Sequence, residues 1–424
     1  MPDGWDNIVL LTADALRADH LSCYGYDRET TPELDEFAAD ALRFTAAHSV
    51  SSHTREGVPG LLTGQYPDGA IDESYHLVSD SLAATLSRSG FATGGFHSNP
   101  YVSRAYDYDV GFDTFDDDLH LGQNKLIALA QRALDKLRNR HYARADEIND
   151  RALSWLDSLD DRPFFLWNHY MDVHGPYEPP EPFESRYLDG QLSASDAQSL
   201  FRRAIRDPNS ITDDERQTLL DLYDAEIAYN DHHIGQFLDA LRERGLLSES
   251  LVIFTADHGE AFGEHGYYSH PRYLDDELTH VPMLLSTPET NGTVVETPVS
   301  TIDIVSTVHS ELDLGPSDLP GRSLLAVGDG DADRAVYQQA RGEGDDANRR
   351  RYAVRTRDET CRCSVDETSG DLTFDDVGDD SLRDRLEAYV TDRLANCSDA
   401  DSSDTDRVTD DTIERRLEAL GYKD

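Results

Sequence analysis

The run Leu251-Val-Ile-Phe-Thr-Ala-Asp-His258 constrains the chain more than any other stretch. Residues 251–255 are all apolar or β-branched, with no polar alternation, and read as a strand buried on both faces. Such strands belong to parallel sheets covered by helices, where ligands bind beyond the carboxyl ends. This one ends on Asp257 and His258, and Gly259 lets the chain turn away. An Asp alone serves in turns and a His alone sits in cores, but the pair at a strand end is placed to hold a metal. Stretches 8–19, 51–67 and 167–177 also deliver polar residues to predicted strand ends, so one cleft could gather them all.

The rest of the chain supplies the partners of that strand. Strands are predicted over 7–12, 44–49, 91–96, 163–167 and 282–285. Helices are predicted over 32–42 behind an N-capping Thr31-Pro32, then 79–89, much of 123–160, 212–244 and 302–312. Alternation of this kind predicts an α/β fold with a large, mostly parallel sheet sandwiched by helices. We assign residues 1–333 to that catalytic unit. Segment 179–208 is polar and irregular, with some helix, and suits a lid. Residues 334–424 change texture to short charged segments and read as a small C-terminal α+β subdomain. It has a helix at 381–394, an acidic spacer at 398–406 and a terminal helix at 410–420.

Composition narrows the partners. The formal net charge is −46, and only three lysines (Lys125, Lys136, Lys423) stand among the 38 basic residues. Recurrent apolar elements argue against a disordered acidic chain. An acidic surface built for a high-salt cytoplasm fits better, because at about 1 M salt the Debye length falls to ~3 Å and self-repulsion is screened. Such a charge excludes nucleic acid or an anionic membrane as the main partner. No apolar run is long enough to span a bilayer, and no signal-peptide pattern precedes the first strand, so the expected location is cytoplasmic. The cysteines Cys23, Cys361, Cys363 and Cys397 match no zinc or redox spacing and read as free thiols. Oligomeric state is not legible.

Four segments carry a more specific likeness: NIVLLTADALRADHLSCYGY at 7–26, LLTGQYP at 61–67, HYMDVHGPY at 169–177 and FTADHGEAFGEHG at 254–266. Their order and spacing resemble the sulfatases, within the alkaline phosphatase superfamily, over residues 7–325. The resemblance implies an ester hydrolase, acting on a small-molecule or glycan sulfate or phosphate ester. It implies a metal site at Asp14, Asp257 and His258, joined by the nucleophile. Sulfatases typically have two Asp after the first strand and Asn after the later Asp. This chain has Asp14-Ala15 and Asp257-His258, which looks more like phosphonate and phosphodiester hydrolases. One divalent ion is expected, with manganese or zinc favoured and calcium or magnesium possible.

No Cys or Ser stands in a C/S-x-P-S-R pattern here. The family spacing, ten residues before Gly64, lands on Thr54, whose hydroxyl needs metal to become a nucleophile. The rival register starts at Ser51 and puts Arg55 fourth after it. His174 matches the family histidine that contacts the anion or the leaving group, and His270 falls near a second cation of similar duty. Arg55 could clamp a nonbridging oxygen, because guanidinium suits sulfate and phosphate. His97 and Asn99 follow a strand and could reach the pocket, whereas Asp19, Glu264 and His265 read as supporting residues. Two readings outside hydrolysis stay open: a phosphoryl-group transferase of the same superfamily, and a non-catalytic relative that binds anionic glycans.

Overall fold

The structure is a computed structural model that describes residues 4–119, 142–188, 190, 192–315, 318–328, 331, 333–375 and 379–397. The main sheet is built from β1 (Asn7–Ala13), β2 (Leu42–Phe44), β3 (Ala92–His97), β4 (Thr114–Asp116), β5 (Phe164–Tyr170), β6 (Ser250–Ala256), β7 (Met283–Ser286) and β8 (Val294–Val295). Its spatial order is β8-β2-β7-β6-β1-β5-β3-β4. Every pairing is parallel except those of β7, which runs against β6 and β2. The predicted mostly parallel α/β sheet is therefore what the chain forms. The direction of β7 and the short edge strands β4 and β8 were not foreseen.

The central strands are buried on both faces, as their unbroken apolar runs require. Side chains alternate between faces. Val9, Leu11, Val252 and Phe254 join one core cluster, while Ile8, Leu10, Leu251 and Ile253 join the other. Register sets the site, because Ala13 of β1 lies opposite both Ala256 of β6 and Tyr170 of β5. Asp14 and Asp257 thus leave the sheet side by side, with His169 one residue back on the third strand.

Helices cover both faces: α1 (Pro32–Asp40), α2 (Thr54–Thr63), α3 (Leu82–Arg88), α4 (Ala145–Leu156), α5 (Ala194–Arg206), α6 (Asp213–Glu243) and α7 (Asp303–Glu311). The long α6 opens on a capping box of Thr212 and Glu215, whose side chains exchange bonds with each other's backbone N–H. Thr31 does not cap α1 as expected. Asp231 of α6 instead accepts from the first-turn N–H groups of Glu33 (3.0 Å) and Leu34 (2.8 Å). Segment 179–208 contains α5, whose Phe201 packs in the core against Tyr177.

Residues 336–374 form a four-stranded antiparallel sheet covered by α8 (Asp380–Cys397). Leu382, Leu386 and Val390 of α8 pack on Val354, Cys361, Cys363 and Val365. Cys23, Cys361 and Cys363 are free thiols. The predicted spacer at 398–406, the terminal helix at 410–420 and most of the early part of 123–160 lie outside the described residues. Among the described residues no helix is long and apolar enough to cross a membrane.

Candidate active site

Helix α2 carries Thr54 to the ends of β1 and β6. The helix is buried on nearly every side, and Gly57 shows why it can come so close. A Cβ on Gly57 would collide with the backbone carbonyl of Asp257. Ser49 Oγ donates to that same carbonyl, fixing the loop before the helix. The N-cap is His53, whose Nδ1 accepts from the Arg55 N–H at 3.2 Å, so Thr54 is free of capping and points into the cleft. Gly259 has no left-handed backbone; it is small because a Cβ there would strike the Glu277 carbonyl.

Asp14, Thr54, Asp257 and His258 are all fully buried and meet. Thr54 Oγ1 lies 3.5 Å from Asp14 Oδ2 and 3.2 Å from His258 Nε2. His258 Nε2 is 3.3 Å from Asp14 Oδ1 and 3.6 Å from Asp257 Oδ2. Asn99, at the end of β3, donates to Asp14 Oδ2 at 2.6 Å. Ala15 follows with a left-handed φ of 57°, unusual for a residue with a Cβ. Tyr223 secures it by donating to the Ala15 carbonyl at 2.7 Å and accepting from Arg17 N–H at 3.0 Å. Ser51, the rival nucleophile, instead donates to Glu56 Oε2 at 2.8 Å.

Two carboxylates this close, both out of water, need a cation between them. Asp14 Oδ1 and Asp257 Oδ2 are buried without a hydrogen-bond partner. His258 Nδ1 lies 2.8 Å from the Gly259 carbonyl and donates to it, which leaves Nε2 to face the open Asp14 oxygen, carrying a proton between the two carboxylates or giving it up to a cation bound there. The donor set of carboxylates, imidazole and hydroxyl fits one divalent ion. His169 was missed in the sequence. It groups with Asp14 and Asp257, the ligand atoms of the three lying within 4.8 Å of one another. Its Nε2 sits 3.2 Å from Asp14 Oδ2, the oxygen Asn99 already holds, while His258 faces the open one.

Electrostatics agree. Burial alone would raise the Asp14 carboxyl, but His174, His169 and His258 around it hold it well below the usual carboxylate range. Burial and the Asp14 charge raise Asp257. Burial opposes a charge on His258, but Asp257 and Asp14 outweigh it and lift the imidazole to about 9.

A second tier stands over the first. His174 and His270 face each other, Nε2 to Nε2, at 3.4 Å. Burial lowers His174 to about 4 and His270 well below its ordinary value. Glu260, fully buried and raised to about 7 by that burial, meets His270 Nδ1 at 3.1 Å and accepts from Tyr177 OH at 3.1 Å. Glu260 and His53 had no distinguishing sequence signal. Arg55 lies beside Thr54 in the chain, but its guanidinium stacks on Tyr101 and Tyr75. His97 packs on Phe115 and Trp167, away from the pair of carboxylates. Asp19 and Glu264 both bind Arg17, at 2.7 Å each.

The sulfatase family model matches residues 6–314. The chain belongs to the sulfatase family. Its sequence is 26% identical to the uncharacterized sulfatase YidJ of Escherichia coli over 365 residues, covering 76% of this chain and 71% of that one. It is 26% identical to the ulvan-active sulfatase of Formosa agariphila over 434 residues, covering 93% and 82%. Its fold matches the phosphonate monoester hydrolase of Agrobacterium radiobacter with a TM-score of 0.69, 20% identity and 94% of each chain covered. This sulfatase-family chain is an ester hydrolase, and members of the family are metal-dependent.

Proposed function

We propose that the protein cleaves a sulfate or phosphate ester of a small molecule or glycan through Thr54. The observation that carries the reading is the placement of Thr54 Oγ1 at 3.5 Å from Asp14 and 3.2 Å from His258, beside two orphaned carboxylate oxygens. A divalent ion held by Asp14, Asp257, His258 and Thr54, with manganese or zinc favoured, would supply Lewis-acid charge and a lowered hydroxyl pKa. Thr54 Oγ1 releases its proton to solvent and attacks sulfur or phosphorus in line, and the bond to the leaving oxygen breaks. His174 or His270, kept neutral by burial, takes up a proton as the substrate's anion binds and donates it to that oxygen, with Glu260 holding the His270 ring. Water then cleaves the Thr54 ester and releases the anion. Asn99 and His169 keep Asp14 in place throughout.

The C-terminal sheet, which we place in its own subdomain from residue 334, braces this site. The side chain of Gln338 donates to the Ser49 carbonyl, Gln339 N–H to the Val50 carbonyl and Arg341 N–H to Glu56. An ester panel tests the reading. Aryl sulfate, phosphate monoester, phosphate diester and phosphonate ester would be run in molar salt with manganese, zinc, magnesium or calcium. Turnover of at least one ester, lost in Thr54→Ala and kept in Ser51→Ala, is expected. Turnover that survives Thr54→Ala would defeat it. The side-by-side resemblance to sulfatases and to a phosphonate hydrolase leaves the choice of ester to that panel.

A further inference from the structure

Arg55 is an unspent cation. In a chain with a net charge of −46, most buried or half-buried arginines meet a carboxylate: Arg17, Arg144, Arg272 and Arg334 all do. Among the described residues no carboxylate lies within ion-pair distance of the half-buried Arg55, and its buried Nε has no hydrogen-bond partner. Two aromatic rings flank it: the guanidinium carbon stands 4.1 Å from the Tyr101 ring centre and 4.8 Å from that of Tyr75. Stacking uses the faces of a guanidinium and leaves its in-plane N–H donors unspent. The rings hold it in place and consume none of its hydrogen bonds.

Two more arginines stand close by. Arg272 and Arg341 also approach Tyr75, at 5.8 and 5.4 Å from its ring centre. Glu56 is the buried carboxylate that serves both, and the further partners Glu343 and Glu73 are largely exposed. Arg272 and Arg341 are tied down, by Glu56 and by the Ile71 and Asp72 carbonyls, so they contribute field while Arg55 contributes free donors. This patch borders the reaction centre. Tyr101 lies 5.5 Å from the His53 ring, and His53 lies 5.3 Å from His270 and 6.1 Å from His258.

We propose that Arg55, stacked on Tyr75 and Tyr101, binds a second anionic group of the substrate, a carboxylate or sulfate next to the scissile ester. This rests on the hydrolase reading above and narrows its substrate to polyanionic esters, such as an acidic glycan fragment. Arg55 is then a specificity residue, set apart from the group around Thr54 that takes the reacting anion.

The test uses the full chain and two disaccharides, each with one sulfate or phosphate ester. They differ only in carrying a carboxylate or a neutral carboxamide on the adjacent sugar. In the wild-type protein the ratio of kcat/KM, carboxylate over carboxamide, is expected to exceed about 10. Arg55→Gln should lower that ratio about 10- to 100-fold through KM, the range of a charge-assisted hydrogen bond, and Arg55→Lys should restore part of it. Calorimetric binding of the two ester-free disaccharides gives a readout that needs no turnover, with the same selective loss expected. Equal affinity for both in the wild type, or equal losses for both in Arg55→Gln, would overturn the proposal. Selective binding without hydrolysis would sink the hydrolase reading and leave the anion subsite standing.

Discussion

Glu56 joins the helix of Thr54 to the C-terminal sheet, and replacing it by Gln should be among the costliest single-atom changes in the protein. The carboxylate is fully buried, and so nearly are its partners Arg272 and Arg341, at 5% and 9% exposure. Oε2 accepts from Ser51 Oγ at 2.8 Å and Arg272 Nη1 at 3.1 Å, and Oε1 accepts from Arg341 N–H at 3.1 Å. A Gln amide offers one acceptor oxygen. Turned either way, its NH2 faces a buried N–H of Arg272 or Arg341, donor against donor. Both guanidinium groups also lose their buried counter-charge. Removing one partner of a buried ion pair costs about 3–5 kcal/mol, and burial limits how far salt can replace it. Urea unfolding followed by fluorescence and by far-UV dichroism measures the loss, provided the two transitions coincide. The exposed pair Arg88–Asp80, with side chains 59% and 69% accessible, is the control, and Asp80→Asn should change little. A loss below about 1 kcal/mol in Glu56→Gln would refute the view that this carboxylate anchors the Thr54 helix to the C-terminal sheet.

Three further outcomes are expected. His97 is buried with neither ring nitrogen hydrogen-bonded, and burial holds its pKa down to about 3. The unfolded chain takes up a proton below about pH 6.5 that the fold refuses, so stability falls as pH drops, by about 2 kcal/mol at pH 5. Urea midpoints at pH 7.5 and pH 5 should show this part of the fall abolished in His97→Leu; an unchanged fall would contradict it. A Cβ on Gly94 would stand 2.9 Å from three atoms of the Trp155 ring, so Gly94→Ala should destabilise by about 1–3 kcal/mol in the same assay. Calorimetry with manganese or zinc should show a larger loss of affinity in His258→Ala than in His169→Ala, because only His258 faces the open oxygen of Asp14; for an outer group such as His169 the loss should be about 10- to 100-fold.

The fold was legible because burial on two faces leaves an unbroken apolar signature, as at 251–255 and 7–12. The sequence motifs point to Asp14, Thr54, Asp257 and His258; the in-register strands bring Asp14 beside Asp257 and His258, and helix α2 brings Thr54. His169 carries little signal because Asn168-His-Tyr170 looks polar, so the sequence predicts a strand ending at Trp167. It runs on to Tyr170, since a buried polar triplet is tolerated where its groups find partners in the site. Glu260 sat in a run of acids and glycines, and only tertiary contact with His270 and Tyr177 distinguishes it from Glu264. The antiparallel sense of β7 has no sequence signal, because four apolar residues bury equally well in either direction.

The most direct test is to trap the covalent ester. The protein would be mixed with its best ester from the panel, quenched in acid during turnover, digested and mapped by mass spectrometry. The account predicts a sulfuryl or phosphoryl adduct on Thr54, absent in Thr54→Ala. An adduct on Ser51 or Ser52, or turnover with no adduct on any residue of the 51–55 loop, would contradict it.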